Sequence, residues 1–519
     1  MSIQYIFSSF IARAYINSSL AIVALVFFNQ NLFAQSIGDL SKEAYLKKRE
    51  ALKVQDSLLA FDAQIQLSKE EKKASEMLKA LQIEMIDAYK ANNYFPPEHN
   101  FYEWRDHMYQ TKLFEILRKM PKGGIHHIHP VTMQNYQWIV EEAVNEENCY
   151  VYWGEDNEKY VKGQLHFYKE EDAPEGFKKA KTLHERIPRF KEILLDILTF
   201  DASSYQEDFK TWQEFEKTFQ CVAGFYRYKP MFKKFYLKAI QNMIDDGVFH
   251  IELRAIPRAG LYDLDQNIAE NTEEETILLW KDLEKSIQEK EPNFSLKIIY
   301  TFLRFFDQET VFEEIEKAFA LRSNYPETIK GFDLVAEEDA GNSTLFFLDN
   351  WLKMNDLEKK YSTDLPLYLH DGESVWPGSD NLYDALILKS KRIGHGFNLF
   401  RFPSLQQKIK ENQVCIEVNP LSNQILDYID DLRIHPAVYY MNQGIQISIS
   451  PDDPGVFDYE GVTPDYWTAF LAWGLDLQAL KKLVYNSIEY GSLDKQEKRK
   501  ALKHLDNTWA EWIAWLNKQ

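Results

Sequence analysis

The spacing of apolar residues divides the chain into three successive regions. Residues 20 to 28 form an unbroken apolar run, LAIVALVFF, which follows Arg13. From residue 38 to about residue 118, apolar residues recur at the three-to-four-residue spacing of amphipathic helices. From residue 121 onward, short apolar runs alternate with longer amphipathic stretches. This alternation is typical of strands and helices that follow one another along the chain.

The first region is typical of a secretory signal. Its apolar run is too short to span a bilayer but suits the core of a signal peptide. We predict a signal peptide over residues 1–34, cleaved after Leu32-Phe33-Ala34, and a mature protein that is exported, periplasmic or secreted. The alternative is a buried N-terminal helix. No second apolar run of spanning length follows, so we expect no membrane contact after cleavage.

The second region predicts a helical module over residues 35–118. Ser68 and Glu71 have the spacing of a capping box at a helix start. One face of the helix that follows is apolar: Ala74, Met77, Leu78, Leu81, Met85 and Ala88. A second helical stretch runs from Phe101 to Met120. We expect the apolar face to pack on the chain's own main domain, and packing on a partner subunit is the alternative.

The third region, residues 119–519, predicts an α/β fold. The candidate strands are Gly124–His129, Val248–Arg254, Leu296–Phe302, Thr328–Val335, Leu367–His370, Arg392–Gly394, Val414–Val418 and Ile445–Ser450. Eight strands alternating with helices indicate a (β/α)8 TIM barrel of the metal-dependent hydrolase type, with a doubly wound open sheet as the alternative. The barrel is favoured because polar residues follow the C-terminal ends of five strands. The long interval after the first strand predicts an inserted subdomain at about residues 140–200, near the barrel mouth.

Charge and cysteine content narrow the possible partners. The formal net charge of −20 repels phosphate backbones, which argues against nucleic acid as a partner. The three cysteines, Cys149, Cys221 and Cys415, lie far apart and form no CxxC motif. We therefore predict neither a disulfide framework nor a thiolate metal site, although one pair could bridge if the fold allowed it.

Four residues at predicted strand ends form a candidate ligand set for a divalent metal. His127 and His129 are two apart, which places them on one face of a strand, whereas His126 is expected on the other face. His370 ends a later strand, and Asp452 follows the last one. Each motif alone is more often structural. Together, three imidazoles and a carboxylate match a catalytic zinc site with one open position.

Neighbouring residues could supply the acid, the base and a substrate contact for a metal-bound water. Glu373 lies three residues after His370, and burial there would raise the pKa of its carboxyl so that it donates a proton. His395, between two glycines, could orient or deprotonate a water molecule. Asp452 and Asp453 are adjacent and could split two roles in either order, with one binding the metal and the other accepting a hydrogen bond from substrate.

The order of these motifs resembles that of the adenosine deaminase family, and within it the secreted adenosine deaminase-related growth factors (the adenosine deaminase 2 group). The resemblance runs from about residue 40 to the C-terminus. The matching stretches are Met120–Gly124 with His127-Ile-His129, Gly331–Val335 with Glu337–Asp339, His370–Glu373, Arg392–Gly396, Ile416–Val418 with Ser422–Gln424, and Asp452–Pro454.

The resemblance implies one zinc ion per chain, held by His127, His129, His370 and Asp452. It implies that Glu373 protonates purine N1 and that His395 orients and helps deprotonate the attacking water. The predicted substrate contacts are Asp453, Ala336 and Trp212. The expected reaction converts adenosine or 2′-deoxyadenosine to the inosine form and ammonia. The N-terminal module sits where that group has its dimerisation module, so a homodimer is expected.

Departures from the family pattern leave the substrate open. Pro130-Val131 replaces an acidic residue near the ribose, and Ala336 replaces a glycine that faces the purine. Asp371 replaces an alanine, which adds a charge near the predicted metal, and Cys149 lacks the counterpart for the insertion's usual disulfide. A deaminase of another 6-aminopurine derivative is therefore an alternative. A non-catalytic binding or signalling protein on the same fold is another.

Overall fold

The computed structural model of the chain describes residues 40–200, 211–257, 260–267 and 272–519. The signal peptide predicted for residues 1–34 lies outside these ranges. The helices are α1 Lys42–Leu59, α2 Lys69–Ala91, α3 Phe101–Tyr109, α4 Lys112–Arg118, α5 Tyr136–Asn145, α6 Ala180–Arg186, α7 Phe190–Leu198, α8 Thr211–Arg227, α9 Lys229–Asp245, α10 Thr272–Gln288, α11 Gln308–Asn324, α12 Leu348–Tyr361, α13 Asn381–Ile387, α14 Pro403–Glu411, α15 Pro420–Ile425, α16 Pro436–Asn442, α17 Thr463–Ala472, α18 Leu477–Glu489 and α19 Lys495–Leu516.

Eight parallel strands close into a barrel. The strands are β1 Gly123–Ile128, β5 Val248–Ala255, β6 Ser295–Leu303, β7 Ile329–Val335, β8 His370–Asp371, β9 Arg392–His395, β10 Cys415–Val418 and β11 Ile447–Ile449. They form two four-stranded sheets, β1-β5-β6-β7 and β8-β9-β10-β11. Parallel bridges join the sheets at both seams, Ile128 to Asp452 and Phe332 to Leu367. The TIM barrel is therefore confirmed, and each strand lies where the apolar runs predicted one.

The first barrel strand is irregular, and this corrects one prediction. The pairing of β1 with β5 shifts register between Ile125 and Ile128. His126 was expected to point away from the face of His127. Instead, its Nδ1 lies 3.0 Å from Ser448 Oγ, and burial together with the charge of Arg392 lowers the pKa of His126 to about 3. The bulge thus brings His126 near Glu417, the carboxylate that also pairs with His127.

The helices before the barrel pack in two different ways. Ser68 and Glu71 form the predicted capping box at the start of α2. Helix α2 packs on the main domain, where Gln82 donates to the carbonyl groups of Phe470 and Leu475. The prediction of intramolecular packing is thus confirmed for α2. Helix α1 differs, since none of its residues is buried.

The segment after β1 forms a small sheet of its own. Strands β2 Cys149–Tyr152, β3 Leu165–Phe167 and β4 Phe177–Lys179 pair antiparallel in the order β3-β2-β4. A separate cluster of buried aromatic residues packs on this sheet: Tyr150, Tyr152, Tyr168 and Phe177. Helix α8 follows this segment and lines the barrel mouth. All three cysteines are buried and unpaired, as their spacing predicted.

Candidate active site

The predicted metal ligands converge at the C-terminal end of the barrel. His127 Nε2 and His129 Nε2 each lie 3.3 Å from Asp452 Oδ1. The ring centres of His127 and His370 are 4.3 Å apart. His127, His129 and Asp452 form a group whose ligand atoms lie within 4.8 Å of one another, as do His127, His370 and His395. Residues from β1, β8, β9 and the loop after β11 therefore meet at one point.

Two buried carboxylates fix the orientation of the ligand histidines. His127 Nδ1 lies 2.9 Å from Glu417 Oε2, and His370 Nδ1 lies 2.5 Å from Asp333 Oδ2. A ring nitrogen facing a carboxylate carries the proton, so the Nε2 lone pairs of both rings are left to face the site. Such carboxylate–histidine pairs are typical partners of metal ligands.

The donor set fits a divalent cation. His127 Nε2 and Asp452 Oδ1 are buried and have no hydrogen-bond partner, although they lie 3.3 Å apart. Two electron-pair donors at this distance need a cation or a proton between them. Although burial opposes charge on both groups, this pairing lowers the pKa of Asp452 well below its usual range and raises that of His127 to about 9. Three imidazoles and a carboxylate are ligands that suit zinc.

Glu373 lies beside the candidate metal ligands, in surroundings that favour its protonated form. Burial, together with the charges of Asp452 and Glu338, raises the pKa of Glu373 well above its usual range. Its Oε1 is buried without a hydrogen-bond partner and lies 3.3 Å from His395 Nδ1. Glu338 fixes the segment, since its Oε2 accepts from the Glu373 backbone N–H at 2.7 Å. A carboxyl group with a raised pKa holds its proton to higher pH than an exposed carboxyl does.

His395 is held neutral at the same place. Burial, opposed by Asp452 and reinforced by neighbouring histidines, lowers the pKa of His395 well below its usual range. Its Nδ1 lies 3.3 Å from the Asn423 side-chain amide, and its Nε2 lies 3.8 Å from Asp452 Oδ2. A neutral imidazole can accept a proton from water.

A cavity of about 470 Å³ opens onto this cluster. Its lining includes the predicted substrate contacts Trp212, Ala336 and Asp453 together with Glu373 and His395. Helices α8, α9 and α10 contribute an aromatic wall to the cavity: Phe215, Phe219, Tyr226, Phe232, Tyr236 and Trp280. A flat aromatic ligand matches such a wall.

Ala336 keeps a backbone conformation that favours glycine. Its φ is 88°, and His395 and Asp452 also have positive φ, both 61°. Such conformations cost non-glycine residues free energy and cluster at functional sites. The backbone at Ala336 therefore has a conformation that favours glycine, and the side chain adds a methyl group there.

Asp453 and the segment after β1 form the other side of the cavity. Thr132 Oγ1 donates to Asp453 Oδ1 at 2.5 Å. Burial and the charge of Asp452 raise the pKa of Asp453 to about 7. Pro130 and Val131 both line the cavity, so this segment presents apolar groups at its opening.

The Asp371 carboxylate points away from the candidate metal ligands, contrary to the sequence-based expectation. It follows His370 in β8, and adjacent strand residues point to opposite faces. Its carboxylate accepts from Thr344 Oγ1 at 2.6 Å and lies 3.6 Å from Arg304. Burial raises the pKa of Asp371 well above its usual range, and the charge of Arg304 opposes this shift.

The residues that support the candidate ligands had no predicted role. Glu417 and Asp333 stand inside matching stretches, but only the structure pairs them with histidines. The available signal was a lone carboxylate within the apolar strands Cys415–Val418 and Ile329–Val335. Glu338 and Thr132 carried no comparable signal, because each stands in the segment after a strand and not within an apolar strand.

Two family models match the chain. The model described as adenosine deaminase matches residues 194–508, and the one described as adenosine/AMP deaminase N-terminal matches residues 23–117. The chain belongs to the adenosine deaminase family. Its enzyme class is therefore that of the family, hydrolases acting on carbon–nitrogen bonds.

Relatives and solved structures agree with this membership. Adenosine deaminase 2 of Dictyostelium discoideum is 32% identical over 482 residues, which cover 91% of this chain and 86% of that protein. Adenosine deaminase 2 of Sus scrofa is 30% identical and covers 91% of this chain and 94% of that protein. The apo N6-methyl-AMP deaminase of Arabidopsis thaliana has a TM-score of 0.55 at 18% identity, covering 77% of this chain and 99% of that chain. The last match shows the fold alone.

Proposed function

We propose that this protein is a zinc-dependent adenosine deaminase that also accepts 2′-deoxyadenosine. The observation that carries the proposal is the position of Glu373: its carboxyl is buried, lies 3.3 Å from His395 beside the candidate metal ligands, and lines an aromatic cavity. Its raised pKa agrees with proton donation. Family membership and the relatives named adenosine deaminase 2 support it. The overall reaction adds water at purine C6 and releases ammonia.

His127, His129, His370 and Asp452 would hold one zinc ion per chain. A zinc ion bound there supplies Lewis-acid activation of water at neutral pH. Glu373 donates its proton to purine N1, which makes C6 more electrophilic. His395 accepts the proton that the attacking water loses. Asp453, when protonated, donates a hydrogen bond to N7 and so fixes the ring in this orientation.

Steady-state rates on four substrates test the proposal: adenosine, 2′-deoxyadenosine, adenine and AMP. We expect the ultraviolet absorbance of both nucleosides to fall as they are deaminated, with one ammonia released per nucleoside consumed. Metal analysis should find about one zinc ion per chain. No turnover of either nucleoside by zinc-loaded protein would reject it.

A second candidate keeps the chemistry and changes the substrate to another 6-aminopurine derivative. The supporting observation is that Pro130 and Val131 line the cavity, where the family pattern has an acidic residue near the ribose. A polar sugar gains less binding free energy from such an apolar wall than from a carboxylate that accepts its hydrogen bonds. Faster turnover of adenine or AMP than of adenosine would favour this candidate.

We also propose that the chain is exported and forms a homodimer through its N-terminal module, residues 35–118, ahead of the deaminase domain at 119–519. No helix within the described ranges is long and apolar enough to cross a membrane. Exposed apolar side chains at seven-residue spacing support the dimer: Tyr45, Leu52 and Leu59 are 56%, 44% and 52% exposed. Leu52→Lys should yield monomers in light scattering, whereas Leu352→Lys, on α12, should not.

A further inference from the structure

A continuous series of buried polar contacts connects two predicted metal ligands. His127 Nδ1 lies 2.9 Å from Glu417 Oε2, and His370 Nδ1 lies 2.5 Å from Asp333 Oδ2. Glu417 stands on β10 and Asp333 on β7, so the two carboxylates come from well-separated strands of the barrel.

Arg254 joins these two carboxylates. It stands on β5, and its Nη1 donates to Asp333 Oδ2 at 2.8 Å while its Nη2 donates to Glu417 Oε2. The side chains of all three residues have no exposed surface. The guanidinium therefore spans the barrel interior and completes the series His127–Glu417–Arg254–Asp333–His370.

Fold stability alone is a poor explanation for this arrangement. The interior of a TIM barrel is usually filled by branched aliphatic side chains. Removing charges from water is costly, and apolar residues of similar volume often stabilise a core as well as a buried ion pair does. A planar guanidinium, however, can bond to two carboxylates at once in fixed directions, which an ammonium group does less well.

We propose that Arg254 is a positioning residue for the metal site. It holds Glu417 and Asp333 so that each keeps its histidine in the tautomer and orientation that present Nε2 to the metal. The proposal rests on the metal site of the proposed function. It assigns Arg254 no contact with the reacting atoms.

Zinc affinity of the full-length protein tests the proposal. We expect Arg254→Lys to bind zinc about 10- to 100-fold more weakly in competition with a chelator, the usual effect of losing partners of metal ligands. Arg322→Lys is the matched control, because Arg322 pairs with Asp364 and donates to the Ile329 carbonyl, remote from these ligands. It should bind zinc as the unmodified protein does.

A double-mutant cycle separates positioning from a general loss of structure. Glu417→Gln should weaken zinc binding strongly in the unmodified background and much less in the Arg254→Lys background, since the bridge is already broken. Unchanged zinc affinity in folded Arg254→Lys would overturn the proposal. It would also be overturned if the fold-loss of zinc affinity in the double variant equalled the product of the losses in the two single variants. If Arg254→Lys does not fold, zinc affinity is measured for Asp333→Asn and Glu417→Gln alone. Unchanged zinc affinity in both variants would then overturn the proposal. Zinc affinity is measured without substrate, so absent adenosine turnover would reject the proposed function and not this inference.

Discussion

The two sides of the active-site cavity consist of different kinds of residues. The metal-binding side consists of residues at barrel strand ends, such as His127 and His370, each held by a buried carboxylate. The opposite wall consists of aromatic side chains from α8, α9 and α10 and the apolar pair Pro130 and Val131. The first side has many directional contacts, whereas the second relies mainly on shape and apolar area.

This difference indicates how the two sides tolerate change. A ligand or proton donor must stand within a fraction of an ångström of its working position, so each has partners that fix it. An aromatic wall binds a flat ring over a range of positions. Changes on the first side should therefore reduce the rate of the chemical step, and changes on the second should reduce affinity.

Metal removal should have the largest effect. Dialysis against a chelator should abolish turnover, and added zinc should restore it in proportion to zinc bound. Because the metal binds only the folded state, its removal should also lower the thermal midpoint; a ligand at 100 times its Kd adds about 2.7 kcal/mol. Full turnover by protein shown to be metal-free would contradict the assignment of the ligands.

Glu373→Gln should have the next largest effect. We expect kcat to fall by about 10²- to 10⁴-fold, the usual contribution of a positioned acid, with zinc content and thermal midpoint nearly unchanged. Glu284→Gln is the control, because Glu284 is another carboxyl whose pKa burial raises and it lies away from the cavity lining. Near-normal kcat in Glu373→Gln would refute proton donation by this residue.

Trp212→Ala probes the aromatic wall. Stacking of a base on an aromatic side chain contributes about 1–3 kcal/mol, so KM should rise by about 10-fold or more while kcat changes little. The indole Nε1 also donates to Tyr428 at 3.0 Å, and Trp212→Phe separates this bond from the ring contact. A loss confined to kcat would show that Trp212 acts on the chemical side instead.

Thr132→Val tests the junction between the two sides. It removes the hydroxyl that donates to Asp453 and should raise the KM for adenosine by about 10-fold, since a typical intramolecular hydrogen bond contributes up to about 1.5 kcal/mol. Thr132→Ser should retain the bond and the KM. Equal losses in the two variants would indicate a packing effect of the Thr132 methyl group.

Ala336→Gly should have the smallest effect. Relief of the positive φ and the greater freedom of glycine in the unfolded state oppose each other, so the free energy of unfolding should change by less than about 1 kcal/mol. KM should also change little if the methyl group clears the purine. Chemical denaturation and adenosine kinetics measure both quantities, and a large decrease in KM would show that the methyl group obstructs the ring.

The sequence by itself determined the barrel and most of the predicted site. Apolar runs fix strands because buried strand faces need them, and motifs such as His127-Ile-His129 follow those runs directly. Local pattern also gave the capping box of α2, since both of its hydrogen bonds lie within four residues.

Only the tertiary structure decided which distant groups meet. The bulge in β1, the contact of Asp371 with Arg304 and the bridge from Arg254 to Glu417 depend on register and closure across the barrel. No local periodicity encodes these contacts. A side chain's partner and protonation state follow from burial and from neighbours far along the chain, and both exist only once the barrel has closed.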